Sequence, residues 1–231
     1  MVYDFVAGET LLIDKPLTWT SFDVVKKVRN ILRVKKIGHA GTLDPLASGL
    51  LILCTGKFTK RIDEIQAQEK EYTGTITLGQ TTPSYDLETE VTDSGDISHL
   101  TEEAIKAAAA RFVGTIEQVP PLYSAVMIDG KRAYTLARKG ESAEIKPRSI
   151  TIKAFDIEAI EGAVLQFKVI CSKGTYIRSL AHDLGQELGC GAHLSKLVRT
   201  RIGEYQLKDA LTIEDIQQIR NTQLAADGSN S

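Results

Sequence analysis

The stretch Gly38-His39-Ala40-Gly41-Thr42-Leu43-Asp44-Pro45-Leu46-Ala47-Ser48-Gly49, followed by the apolar run Leu50 to Cys54, constrains this chain more than any other. Glycine lets backbone approach backbone or ligand closely and reaches positive φ. Pro45 biases Asp44 away from the helical region, toward extended backbone. The apolar run predicts a buried strand. A chain with this stretch must fold around a tight loop that holds one acid in a fixed pose, braced by a core strand. Two readings of Asp44 fit. One is an Asx-turn in which the carboxylate bonds its own backbone; the other is a reactive carboxylate on a loop, where functional groups concentrate.

The rest of the sequence narrows the class. No apolar run approaches the ~20 residues of a membrane span. Met1-Val2-Tyr3-Asp4-Phe5 lacks the basic-then-apolar order of a signal peptide. Cys54, Cys171 and Cys190 are an odd number of cysteines at wide spacings. They suggest neither a disulfide framework nor a zinc site, and they fit a reducing, cytoplasmic compartment. The net charge of −2 does not advertise a nucleic-acid partner, but the charge is segregated. Basic residues cluster at Lys26 to Lys36, Lys57 to Arg61 and Lys196 to Arg201, and acidic ones at Asp86 to Asp96, Glu141 to Glu144 and Glu204 to Asp215. Segregation can build a basic face on a near-neutral protein, although each cluster alone also reads as a solvated face.

Leu11-Leu12-Ile13 predicts a short buried strand ended by Pro16, which cannot donate to a ladder. Ser21 is a candidate N-cap, with Asp23 favourable in the first turn. The helix that follows turns Val24, Val25, Val28, Ile31 and Leu32 inward and Lys26, Arg29 and Arg33 outward. Lys57 to Ile65 reads as a short helix. Glu69 to Leu78 alternates as a strand, with Tyr72, Gly74, Ile76 and Leu78 on one face. Tyr72 reads there as a core tyrosine with a satisfied hydroxyl. Thr81 to Gly95 reads as a polar surface loop. Thr101 caps a helix stopped by Gly114. Strands are predicted at about 123–128, 150–158 and 163–171, and the basic segment at about 124–150 reads as a flap.

Thr175 caps a helix whose inward stripe is Ile177, Leu180, Ala181, Leu184 and Leu188. Arg178 then sits in a first turn that favours acids. A residue set against local preference marks a functional candidate, here a partner for a carboxylate or phosphate. Thr200 to Leu207 reads as a strand, and Thr212 to Asp215 as a capping box opening a last helix. With no repeat or linker, residues 1–222 read as one domain and 223–231 as a disordered polar tail.

Several chemistries lack their parts. His39, His99, His182 and His193 have no metal-ligand spacing. No nucleophile elbow supports a triad, and no GxxxxGK[ST] or GxGxxG loop cradles phosphates. A retaining glycosidase needs a second carboxyl beside Asp44. One posed carboxylate, candidate aromatics, an arginine and basic flanks remain.

The loop from Gly38 to Gly49 resembles the signature loop of the TruB family, the tRNA pseudouridine(55) synthases. Lys15-Pro16 with Thr20-Ser21 is similar to the family's N-terminal motif, and Lys70 to Tyr72 with Leu78-Gly79 to its second. Val119-Pro120-Pro121 with Tyr123-Ser124-Ala125 resembles its third. Ser172-Lys173-Gly174-Thr175-Tyr176-Ile177-Arg178, with Asp183-Leu184-Gly185 and Leu188-Gly189-Cys190-Gly191-Ala192-His193, resembles its fourth. Thr18 stands where the family usually has glycine. The chain ends soon after Ile219, so the PUA-type C-terminal module of longer members is expected to be absent.

The resemblance implies isomerisation of a T-loop uridine of tRNA to pseudouridine by base flipping, with no cofactor and no metal. It implies Asp44 as the nucleophile or essential carboxylate, Tyr72 stacked on the flipped base, and Arg178 paired with Asp44. Tyr176 and Leu197 would line the base pocket, His39 would sit beside the vacated stack, and Lys15 near the pocket. The implied partner is the T arm or elbow of tRNA, bound by a monomer with no membrane association. The implied fold is α+β, pseudouridine-synthase-like: a mixed, largely antiparallel central sheet flanked by helices, with the catalytic cleft across it. The irregular interleaving of strands and helices points to the same class. Two other roles fit the same residues: an RNA-folding module that binds the tRNA elbow with catalysis secondary, and a guide-RNA-dependent relative.

Overall fold

The computed structural model describes residues 3–124, 126–128, 130–137, 139 and 145–228. In chain order the elements are β1 (Thr10–Lys15), α1 (Ser21–Leu32), β2 (Ile37–His39), β3 (Ala47–Thr55), α2 (Ile62–Ala67), β4 (Lys70–Leu78), β5 (Gln80–Thr81), β6 (Asp93–Ser94), α3 (Glu102–Ala110), β7 (Gly114–Gln118), β8 (Met127–Ile128), β9 (Lys131–Arg132), α4 (Ala133–Ala137), β10 (Arg148–Glu161), β11 (Val164–Cys171), α5 (Ile177–Glu187), β12 (Ala192–Ile202), β13 (Tyr205–Gln206) and α6 (Ile213–Gly228). The fold is α+β, and the pairs β1–β3, β2–β3, β12–β13, β10–β11 and β10–β7 are all antiparallel. The chain forms two compact units, Met1–Glu71 with Val198–Ser231, and Tyr72–Leu197. It passes from one to the other inside β4 and again inside β12.

In the first unit β3 explains the unbroken apolar run. Leu51 and Leu53 pack with Leu11 and Ile13 against Val24, Val25, Val28 and Leu32 of α1 and Ile213 and Ile216 of α6. Leu50, Ile52 and Cys54 point the other way, into a cluster with Ala40, Ile65 and Ile202. A strand covered on both faces reads as continuous apolar sequence rather than as alternation. Each such side chain contributes roughly 1.5–3 kcal/mol of burial. The N-cap of α1 is Thr20 rather than Ser21: Thr20 is extended and closes a capping box with Asp23. Ser21 is left free for another partner.

In the second unit the strand order β4–β11–β10–β7 continues from the first half of β12. Phe155 and Phe167 meet edge to face at 5.9 Å between β10 and β11, and Phe112 joins Phe155 at 6.4 Å. Helix α3 packs on β10, with Ile105, Ala108 and Ala109 buried.

Four further expectations change. The strand expected over 200–207 is instead the end of β12, a turn at Gly203 (φ 53°), and short β13, because the positive φ at Gly203 reverses the chain. The surface loop expected over 81–95 carries buried Thr82, Ser84 and Asp86. The tail expected from 223 is helical to Gly228, and Gln223 Nε2 donates to Tyr3 O at 2.9 Å. Thr175 does not cap α5; Tyr176 is its N-cap. Of the expected flap, residues 125, 129, 138 and 140–144 lie outside the described residues. Its described residues include β8, β9, α4 and the start of β10. Among the described residues no helix is long and apolar enough to cross a membrane.

Candidate active site

Asp44 is half-buried between β2 and β3, and the backbone around it is tied down on every side. Arg199 of β12, only 1 % exposed, donates from Nη2 to Gly41 O (3.1 Å), from Nη1 to Thr42 O (3.4 Å) and from Nε to Leu50 O (2.8 Å). Ser21 Oγ accepts from Leu43 N (2.9 Å) and donates to Leu43 O (3.2 Å). Ala47 N donates to Asp44 O (3.1 Å) and Thr18 N to Pro45 O (2.8 Å). Each carbonyl from Gly41 to Pro45 therefore has a donor. A carboxylate on such a backbone starts from a fixed main chain before any ligand arrives, which favours the preorganisation that catalysis requires. The glycines permit the cage. Gly41 has φ 95°, and a Cβ at Gly49 (φ 96°) would stand 2.5 Å from Arg199 O.

Lys15 is fully buried and extends the cage. Its Nζ donates to Trp19 O (2.5 Å), Pro16 O (3.0 Å) and Pro45 O (3.4 Å). Burial pulls its pKa down to about 8; the Asp44 carboxylate opposes this shift and the Arg199 guanidinium adds to it. The interaction is mutual, so Lys15 favours the ionised form of Asp44. His39 on β2 is held below the usual histidine range, first by burial and then by Arg199.

In the second unit Tyr72 is buried at the start of its length of β4, and Leu197 is buried at the end of its length of β12. The Gln118 side-chain amide anchors Tyr176, the N-cap residue of α5. It accepts from Tyr176 N (2.8 Å) and donates to Tyr176 O (3.0 Å). Arg178, 4 % exposed, follows in the first turn. Its Nη1 donates to Ser84 O (3.2 Å) and Tyr123 O (3.1 Å), and its Nε lies 3.6 Å from Asp86 Oδ2. The acid and the two carbonyls offset an arginine that the helix dipole disfavours. One turn on, His182 stacks on Tyr85 with ring centroids 3.9 Å apart. Beside it, burial raises Asp183 to about 6.

A family model described as TruB family pseudouridylate synthase (N terminal domain) matches residues 29–177, and one described as tRNA pseudouridylate synthase B C-terminal domain matches residues 178–227. The chain belongs to the TruB family. The protein named tRNA pseudouridine synthase B of Parabacteroides distasonis is 53% identical over 92% of this chain and 93% of its own length. That of Flavobacterium johnsoniae is 52% identical over 91% of this chain and 95% of its own. Among solved structures, a chain of a Cbf5-Nop10-Gar1 complex matches with a TM-score of 0.72 and 33% identity, over 93% of this chain and 54% of that one. A chain of the archaeal box H/ACA sRNP Nop10-Cbf5 complex matches with a TM-score of 0.71 and 27% identity, over 95% of this chain and 56% of that one. The present chain spans about half the length of those solved chains.

This TruB chain divides its expected site residues between its units: Lys15, His39 and Asp44 in the first, Tyr72, Tyr176, Arg178 and Leu197 in the second. Lys15 has its ammonium engaged by three carbonyls, so it braces the Asp44 loop. Sequence reasoning missed Arg199, Ser21, Gln118 and Asp86. Arg199 was hidden in the basic cluster at 196–201, read as a surface feature. In fact Arg199 is internal, and Arg201 pairs with Glu69 (2.8 Å) and Glu71 (3.8 Å). Asp86 was hidden in an acidic run, although Thr82, Ser84 and Asp86 alternate as a buried face does. Among the described residues no three His, Cys, Asp or Glu side chains converge on a metal-sized site.

Proposed function

We propose that this chain is a cytoplasmic, monomeric enzyme that converts the T-loop uridine of tRNA, position 55, to pseudouridine. The observation that carries the reading is the cage from Gly41 to Pro45, which fixes Asp44 with five held carbonyls and a buried Lys15. The similarity to proteins named tRNA pseudouridine synthase B supports the choice of tRNA.

The target base leaves its stack at a cost of a few kcal/mol. Stacking on an aromatic returns ~1–3 kcal/mol, and Tyr72 is assigned that role. Asp44 is the essential carboxylate. The bond from C1′ to N1 breaks, the uracil turns, and the bond from C1′ to C5 forms. The C5 proton leaves and N1 gains one, so the product is an isomer. Arg178 is assigned the cation that keeps Asp44 ionised. Tyr176 and Leu197 line the base pocket and keep the free base from escaping, and His39 lies by the vacated stack.

Single-turnover conversion of an unmodified tRNA transcript tests the reading, with Asp44→Asn beside wild type. Pseudouridine at one T-loop uridine in wild type, and none above background in the variant, is expected. Wild-type conversion retained by Asp44→Asn would sink the assignment. The similarity to chains of box H/ACA complexes favours a second reading, guide-RNA dependence. Conversion of the bare transcript without guide RNA excludes it.

A further inference from the structure

We propose that the outward face of α1 is a track for the RNA backbone, with Phe22 as a stacking platform at its start, so that substrate RNA is gripped beyond the target nucleotide. The proposal rests on the reading of Asp44 as the site of uridine conversion. Phe22, Lys26 and Arg29 recur at three- and four-residue steps along one exposed face of α1, and Arg33, its exposed left-handed C-cap, follows four residues on. At 1.5 Å per residue they span about 16 Å. Phe22 is 65% exposed, unusual for a phenylalanine at a helix start. The opposite face, Val24, Val25, Val28 and Leu32, is committed to the core.

Apart from the attraction between Lys26 and the Asp23 carboxylate, these cations are unengaged. Between residues 21 and 36 the sequence holds six of them, Lys26, Lys27, Arg29, Arg33, Lys35 and Lys36, against one carboxylate, Asp23, in a protein of net charge −2. Among the described residues none of the six is in an ion pair. The Asp23 carboxylate is taken by the Thr20 cap, at 2.9 Å from its N and 2.6 Å from its Oγ1. The other basic clusters differ. Arg199 is internal, Arg201 is paired with glutamates, and Arg61 lies over the Phe58 ring at 5.5 Å. Like charges three and four residues apart weaken a helix, so a row of them with a single carboxylate among them calls for a polyanion. An exposed aromatic joined to a cation row suits single-stranded or looped nucleic acid, whose bases stack while its phosphates pair.

The track starts at the candidate site. Ser21, the residue before Phe22, holds Leu43 through two hydrogen bonds, and Asp44 follows. RNA with its target base at Asp44 thus meets Phe22 first and the cations after it.

Binding of an unmodified tRNA transcript is measured across salt concentrations. The variants are Lys26→Gln with Arg29→Gln, and Phe22→Ala; the control, Lys57→Gln with Lys208→Gln, removes two exposed cations elsewhere in the same unit. The α1 pair is expected to raise Kd about tenfold near 0.1 M salt and to flatten the salt slope by about 0.7–0.9 per cation removed. The control pair is expected to move both less than half as far. Phe22→Ala is expected to raise Kd about fivefold with the salt slope kept, and Phe22→Tyr to restore it. Equal losses in the two double variants, or none in the α1 pair, overturn the track. Wild-type affinity in Phe22→Ala, or no rescue by tyrosine, overturns the platform. Pseudouridine is assayed in the same reactions with wild type: its absence overturns the reading of Asp44 instead.

Discussion

Two residues of the Asp44 cage make opposite compromises. Lys15 buries an ammonium, and its native pKa of about 8 lies below the unfolded value of 10.5. The native state therefore sheds this proton first. Below pH 8 the buried charge costs stability in full, and the cost fades as pH rises toward 10.5. Activity should run the other way, because a neutral amine loses one donor and its attraction to Asp44. The kcat profile is expected to fall through about pH 8, and Lys15→Arg, which stays charged, should lose that alkaline limb. An unchanged profile in the arginine variant would show that another group titrates. Thr18 stores strain instead: it has φ 71°, a region poor for a β-branched residue, while its N–H holds Pro45 O. Thr18→Gly is expected to stabilise the protein by about 1 kcal/mol, the relief outweighing the extra freedom of glycine in the unfolded chain. Urea unfolding measures it, and a loss of stability would mean that the threonine side chain has a compensating contact.

At the scale of elements, α5 carries an acid that its burial disfavours. Asp183 has a native pKa of about 6 against 3.8 unfolded, so the native state holds the proton more tightly. Stability from this group is full below pH 4 and is lost as pH rises through 6. Asp183→Asn should gain roughly 1–2 kcal/mol at pH 8 and nothing at pH 4, the shift discounted for partial solvation. Urea melts at the two pH values decide it, and an equal gain at both would assign the effect to something other than ionisation. The elements themselves were largely legible, because β4 and β11 alternate and α1, α3 and α5 carry an inward stripe. What was not legible depends on distant chain. Arg199 looks like any surface cation until Leu50, 149 residues away, supplies its acceptor. Gln118 reads as a polar end of a strand until the backbone of Tyr176, 58 residues away, supplies both its partners. Asp44 and Arg178 stood out because proline, glycine and the helix dipole are local signals.

At the scale of the molecule, the chain makes its two units in different ways. Tyr72–Leu197 is one continuous segment, whereas the other unit needs both ends of the chain. The cysteines report on each. Cys171 lies on β11, paired with β10 across the short turn at Gly162. Cys54 lies on β3 in a cluster closed by Ile202, Tyr205 and Leu207. None of the three thiols is in a disulfide, all three are buried, and burial pushes the Cys54 thiol up, so the native protein should react at none of them. Local pairings close at less entropic cost than distant ones, and chains rich in distant pairings fold slowly. Pulsed thiol labelling during refolding of single-cysteine variants should therefore find Cys171 protected before Cys54. The lag arises because Cys54 must wait for a segment roughly 150 residues downstream. Simultaneous protection would mean that the two units fold in one cooperative step. Earlier protection of Cys54 would mean that β1, β2 and α1 shield β3 without the C-terminal segment, and that Ile202 only completes a cluster already formed.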